Sequence, residues 1–109
     1  MEGKLIMRFI YSILREINEK SLPTAKDYGY KQREFENLIF TLEKEGYVER
    51  VLRIDTFFSL KPARLTQKGH ELLESLRYFD ESYPGKKGLI NWLKVEKEES
   101  SYAEDIEDY

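Results

Sequence analysis

Leu5, Ile6, Phe9, Ile10, Ile13, Leu14 and Ile17 recur at three- and four-residue intervals, and this is the feature that most constrains the chain. The spacing predicts one amphipathic helix with a wide apolar stripe, which Met7 and Tyr11 widen further, while Arg8, Arg15, Glu16 and Glu19 occupy the opposite side. A stripe that wide must be covered, so the rest of the chain has to supply a core against it. With 109 residues the whole is expected to be one domain, able to bury roughly two-thirds of its unfolded surface without staples. There is no cysteine, which excludes disulfides and thiolate chemistry and fits a reducing, cytoplasmic setting. The N-terminal stretch has charges throughout and no unbroken apolar run, so it reads as a folded helix and not a signal peptide. No segment approaches the roughly 18 consecutive apolar residues of a membrane span, and no membrane partner is expected.

After the first helix, "SLPTAKDYGY" (residues 21–30) is a connection. It has room for one helical turn capped by Thr24, with Leu22 and Tyr28 as its anchors. A second strong helix is predicted over Lys31–Glu45, with Phe35, Leu38, Ile39 and Leu42 facing inward and Gly46 at the stop position. Its outward positions include Gln32, Arg33, Glu36, Asn37, Phe40, Thr41 and Lys44, and an outward Phe40 is unusual.

"YVERVLRIDTFFSLKP" is rich in β-branched and aromatic residues around Asp55-Thr56. It predicts a hairpin turning near Asp55 and projecting partly into solvent, its alternation broken at Arg50 and Val51, with Pro62 ending the second strand. One of Phe57 and Phe58 is expected to finish the core.

Next, "RLTQKGHELLESL" (residues 64–76) places a threonine, a glycine and the chain's one histidine in a single amphipathic pattern. Thr66 is suited to cap a helix whose inward face is Leu65, Leu72, Leu73, Leu76 and Phe79. Gly69 in its first turn costs roughly 1 kcal/mol against alanine unless something packs closely there. After the breaker run "SYPGKKG", Leu89, Ile90, Trp92, Leu93 and Val95 predict a last short helix lying back across the core.

From Glu96 to Asp108 there are seven acids and one base. Removing these from the chain's 21 acids and 18 bases leaves 14 and 17, so residues 1–95 carry +3 although the whole carries -3. The expected division is a folded domain over 1–95 and an acidic, disordered tail over 96–109.

The order helix, short turn-helix, helix, hairpin, helix is that of a winged helix-turn-helix domain, an α+β fold. "FENLIFTLEKEGYVER" and "ARLTQKGHELLESL" carry the likeness: a helix ending at Gly46 runs straight into a strand, and Leu-Thr-x-x-Gly-x-x-x-Leu comes after the wing. With "LINWLK" (Leu89–Lys94), the chain resembles the YjcQ-like family, small winged-helix proteins of Gram-positive bacteria and their phages. The resemblance spans residues 4 to about 95. It implies the fold, and a phage or prophage association more than a function.

His70 has no glycine-rich phosphate loop, nucleophile elbow or paired-acid motif beside it, and a lone histidine without cysteine makes a poor zinc site. Neither catalysis nor a cofactor or metal is expected. The function expected is that of a non-enzymatic DNA-binding accessory protein or transcriptional regulator. Lys31, Gln32, Arg33, Asn37 and Thr41 of the second motif helix would read the major groove of double-stranded DNA. Lys26 and Lys44, Arg50 and Arg53 on the wing, and Lys61 and Arg64 beyond it would contact the backbone. Glu34, Glu36, Glu43 and Glu45 on the same helix oppose that reading, and a solvated mixed-charge helix is the plain alternative. A rival function is a protein-interaction module on the same scaffold, using Phe40 and the acidic tail, including a phage-encoded inhibitor that mimics nucleic acid. A homodimer through the C-terminal helices (residues 67–79 or Leu89–Val95) is a further possible assembly.

Overall fold

The computed structural model describes residues 6–96; Leu5 of the first stripe and residues 97–109 of the acidic tail lie outside the described residues. The architecture is α+β: helices enclosing one apolar core, with two short antiparallel strand pairs at one side.

Helix α1 (Met7–Asn18) is the central element. Phe9, Ile13 and Leu14 are fully buried, as the stripe requires, and Tyr11 joins them. The charged side is less regular than its pattern: Glu16, expected outward, is buried. Its carboxylate accepts hydrogen bonds from Ser21 Oγ and Tyr83 Oη, which replace the water it gives up.

The turn-helix is α2 (Ala25–Tyr28), and Thr24 caps it as expected. Asp27 N donates to Thr24 Oγ1 at 3.3 Å while Thr24 N donates to Asp27 Oδ2 at 2.9 Å, a reciprocal capping box. Tyr28 anchors the turn in the core, but Leu22 is exposed; Pro23 and Ala25 are the buried neighbours instead. Phe9 is the hub that holds this corner, with ring centroids 5.0 Å from Tyr28, 5.4 Å from Tyr30 and 6.4 Å from Phe35.

Helix α3 (Gln32–Lys44) buries Phe35, Leu38, Ile39 and Leu42. It stops at Gly46, whose φ of 90° lets Gly46 N reach Glu43 O and Tyr47 N reach Leu42 O, both at 3.0 Å. The chain then enters β1 (Val48–Glu49), β2 (Leu52–Ile54), β3 (Phe57–Ser59) and β4 (Arg64–Leu65). Strands β2 and β3 pair around the Asp55-Thr56 turn, and β1 pairs with β4 at the base.

The two ladders do not share one register. Two residues, Arg50 and Val51, separate the outgoing strands, whereas Leu60 to Ala63 separate the returning ones. The break in alternation seen at Arg50 is therefore real: Arg50 sits at φ 67°, and opposite it Leu60 and Ala63 close a turn with a 3.0 Å hydrogen bond. Pro62 lies inside that turn and does not end the hairpin, because the strand resumes at Arg64.

Helix α4 (Gln67–Ser75) begins against the junction of α3 and β1. Gly69 N donates to Thr66 Oγ1 at 3.0 Å, and the Thr66 hydroxyl donates to Gly46 O. A Cβ at Gly69 would stand 2.0 Å from Tyr47 O, so the glycine is required by close backbone approach. The α-helix ends earlier than its apolar pattern, and a 3₁₀ turn over Arg77–Glu81 carries Phe79 onto Trp92, centroids 5.5 Å apart.

A second 3₁₀ turn (Lys86–Gly88) leads into α5, helical over residues 89–96. Leu89, Trp92 and Leu93 are buried against α1 and its neighbours, whereas Ile90 is 52% and Val95 44% exposed. Glu96, grouped by sequence with the acidic tail, belongs to the folded body. Met7 N donates to its Oε2 at 2.9 Å and Arg8 N to its Oε1 at 3.0 Å. Ile6, at the N-cap of α1, offers no side-chain acceptor, and the carboxylate of Glu96 fills that role from the other end of the chain.

Candidate nucleic-acid interface

On α3, Arg33, Asn37, Phe40 and Lys44 fall at i, i+4, i+7 and i+11, one ridge opposite the buried face. Arg33, Asn37 and Lys44 are exposed. Phe40 is half-buried, because the hairpin lies along its side: the Phe58 ring meets it edge-on at 5.7 Å, and the Arg53 guanidinium lies 5.3 Å from its centroid. The unusual outward phenylalanine is thus the seat on which the hairpin rests. Phe58, which also touches Phe35 at 6.2 Å, is the aromatic that completes the core, and Phe57 remains outside.

The proposed readers divide into two groups. Arg33, Asn37, Lys44 and Arg53 are brought onto one face. Lys31 stands at the N-cap of α3 and Lys26 in α2, both exposed and set back from the ridge. Gln32 turns toward the hairpin side, where it lines a groove of about 210 Å³ with Phe35, Phe58, Ser59 and Leu60. Its amide donates to Glu36 Oε2 at 2.7 Å, so one side-chain donor is already engaged. Thr41 is half-buried and donates to Asn37 O at 2.9 Å. Arg50 is exposed at the register break.

Charge pairing separates the arginines of this region from the other arginines, whereas no lysine among the described residues forms an ion pair. Arg8, Arg15, Arg64 and Arg77 all form ion pairs with carboxylates, so Arg64, expected to meet phosphate, is instead engaged by Glu49 across the β1–β4 pair. Among the described residues, none of Lys26, Lys31, Arg33, Lys44, Arg50 and Arg53 does. Glu34, Glu36 and Glu43 flank the ridge and are half-buried.

Sequence reasoning missed a second polar cluster. Ser12 Oγ, fully buried, lies 2.8 Å from both Tyr28 Oη and Tyr83 Oη, and Tyr83 donates onward to Glu16. The Arg15 guanidinium covers the Tyr83 ring at 4.6 Å. Burial first, then the charges around it, holds the Tyr28 phenol well above its ordinary value, and burial with the hydrogen bond to Glu16 does the same for Tyr83. The only available signal was Ser12 within an apolar stripe. With Ser12 and Tyr28 buried and the half-buried Tyr83 bonded to Glu16, this cluster joins α1 to α2 and to the segment before α5.

His70 is exposed on α4, and the described residues contain no group of three or more His, Cys, Asp or Glu side chains placed to hold a metal ion. None of the helices described is long and apolar enough to cross a membrane. The chain matches no protein-family model, no curated protein and no solved structure.

Proposed function

We propose that the chain is a winged-helix protein that binds double-stranded DNA, as an accessory factor or transcriptional regulator and not as an enzyme. In this reading α3 enters the major groove, β2–β3 is the wing, and Arg33 and Asn37 face base edges while Lys44, Arg50 and Arg53 meet phosphates. The observation that carries the proposal is that Arg33 and Arg53, alone with Arg50 among the described arginines, have no ion-pair partner, and that Phe40 holds Arg53 beside the α3 ridge that bears Arg33. Cations kept without carboxylate partners retain their charge for an external anion. Membership of the YjcQ-like family, with a phage or prophage setting, is part of the same proposal and rests on the sequence resemblance alone.

The test is fluorescence anisotropy with duplex DNA over a range of salt concentrations. Affinity falls steeply with salt if phosphates are neutralised. Arg33→Ala weakens binding about tenfold, whereas Arg77→Ala, in the 3₁₀ turn after α4 and paired with Glu74, leaves it unchanged. Equal affinities for the parent and Arg33→Ala at every salt concentration remove α3 from the interface.

A second reading, a protein-interaction module, has one observation in its favour. Ile54 and Phe57 face each other across the hairpin tip and are 60% and 58% exposed. Binding through that pair is insensitive to salt and lost in Phe57→Ser, the reverse of the DNA signature.

A further inference from the structure

Glu96 fixes where the chain leaves the described fold. Its carboxylate sits on the first amides of α1. Phe9, in the same turn of α1, meets the Tyr30 ring with centroids 5.4 Å apart, and Ile90 of α5 lies against Gly29, its Cγ1 3.3 Å from where a Cβ would stand. Tyr30 directly precedes Lys31, the N-cap of α3. The chain thus passes position 96 beside the start of the helix that carries the unpaired cations.

The segment beyond Glu96 is opposite in charge to the ridge cations Arg33 and Lys44 and to Arg53 beside them, between the flanking Glu34, Glu36 and Glu43. Residues 97–109 hold six acids, Glu98, Glu99, Glu104, Asp105, Glu107 and Asp108, against Lys97. Thirteen residues reach up to roughly 43 Å when extended, and α3 is only about 20 Å long, so the segment can span the whole ridge and the hairpin beside it. Along that path Arg33 and Arg53 are without intramolecular ion pairs, as is Lys44, whereas the arginines elsewhere, Arg15, Arg64 and Arg77, are already paired; the lysines of the described body are unpaired throughout.

We propose that residues 97–109 lie along the outward face of α3 and the adjoining hairpin of the same molecule, pairing with Arg33, Lys44 and Arg53 and competing with nucleic acid for them. The competition half rests on the DNA reading above; the docking half does not. Pairing between exposed groups is weak one contact at a time, but tethering gives the acidic segment an effective concentration that a free peptide lacks. A polyanion with many phosphates displaces it, so the segment raises the threshold for weak, non-specific binding more than for a tight site.

The chain has no cysteine, so Ala103→Cys provides one attachment point for a nitroxide in the full-length protein. At low salt the label broadens the amide resonances of Asn37, Lys44 and Arg53. Signal returns at high salt, and also in a variant whose six tail acids are replaced by Gln or Asn. Lys31 is not diagnostic, because a tail leaving at Glu96 passes near it without docking. Broadening confined to Lys31 and the start of α1, or equal in the parent and neutralised chains, overturns the docking. In parallel, the neutralised full-length chain is expected to bind duplex DNA about tenfold more tightly at low salt than the parent. Equal affinities overturn the competition. If Lys44 and Arg53 broaden and neither chain binds DNA, the docking holds and the DNA reading fails.

Discussion

At the scale of single residues, Gly69 is the position with least freedom. A glycine within a helix ordinarily gains about 1 kcal/mol when changed to alanine. Here the added methyl would meet Tyr47 O at 2.0 Å, a backbone atom tied into both the Gly46 turn and the start of α4. Gly69→Ala is therefore expected to destabilise the fold by about 2 kcal/mol or more, through displacement of α4 from β1. Urea titration checks this, and an unchanged or higher midpoint would show that the two backbones separate without cost. His70, one position on, is exposed, and its neighbour accounts for the pattern that drew attention to it. Thr66 caps, Gly69 admits the Tyr47 carbonyl, and the histidine is simply the next residue along.

At the scale of elements, α1 shows how a helix can be completed by a residue far away in sequence. Its N-terminal amides have no local side-chain cap, and Glu96 supplies the acceptor across 89 residues. Arg8 strengthens the same join by donating to Trp92 O at 2.8 Å with its guanidinium 5.0 Å from the Trp92 ring. Glu96→Ala is expected to cost about 1–2 kcal/mol, within the range for loss of a helix cap. Amide hydrogen exchange should accelerate in the first turn of α1 and across residues 89–96 together, while α3 stays protected. Faster exchange in α5 alone would mean that the contact orders only the C-terminal helix. The hairpin is held by side chains close in space: Phe58 reaches Phe35 in the core on one side and Phe40 on the other. Phe40 lies under Phe58 and Arg53, so the direction of the hairpin is set by one half-buried ring on α3.

At the scale of the whole molecule, three phenols share one behaviour with pH. Tyr28, Tyr30 and Tyr83 are all raised above their ordinary value of 10.0, chiefly by burial. A phenol raised in the folded state loses its proton first in the unfolded chain, so its contribution is whole below pH 10 and declines as pH climbs toward the folded value. Stability is expected to be flat up to about pH 10 as far as these groups decide it, then to fall steeply through pH 12. Tyrosinate absorbance tracked beside far-UV circular dichroism checks this: the late-titrating phenols should ionise together with loss of helix. Most of this layout was legible in the sequence, because helical periods, the Thr24 and Thr66 caps and the Gly46 stop are local signals. The illegible part depends on distant contacts. Glu16 carries an outward-type side chain but is met by Ser21 and Tyr83, and Glu96 belongs to an acidic run yet caps α1. Of the candidate interface, the residue types on α3 were readable, but the turning of Gln32 toward Glu36 and the seating of Arg53 on Phe40 were not, since both depend on where the hairpin falls. The split register of that hairpin has one more consequence. Because β1–β4 is pinned through Thr66 and Gly46 while β2–β3 pairs separately beyond the Pro62 turn, the outer loop is a modular head on a fixed neck. Residues exchanged or inserted at Asp55-Thr56 alter what the head presents without moving the neck.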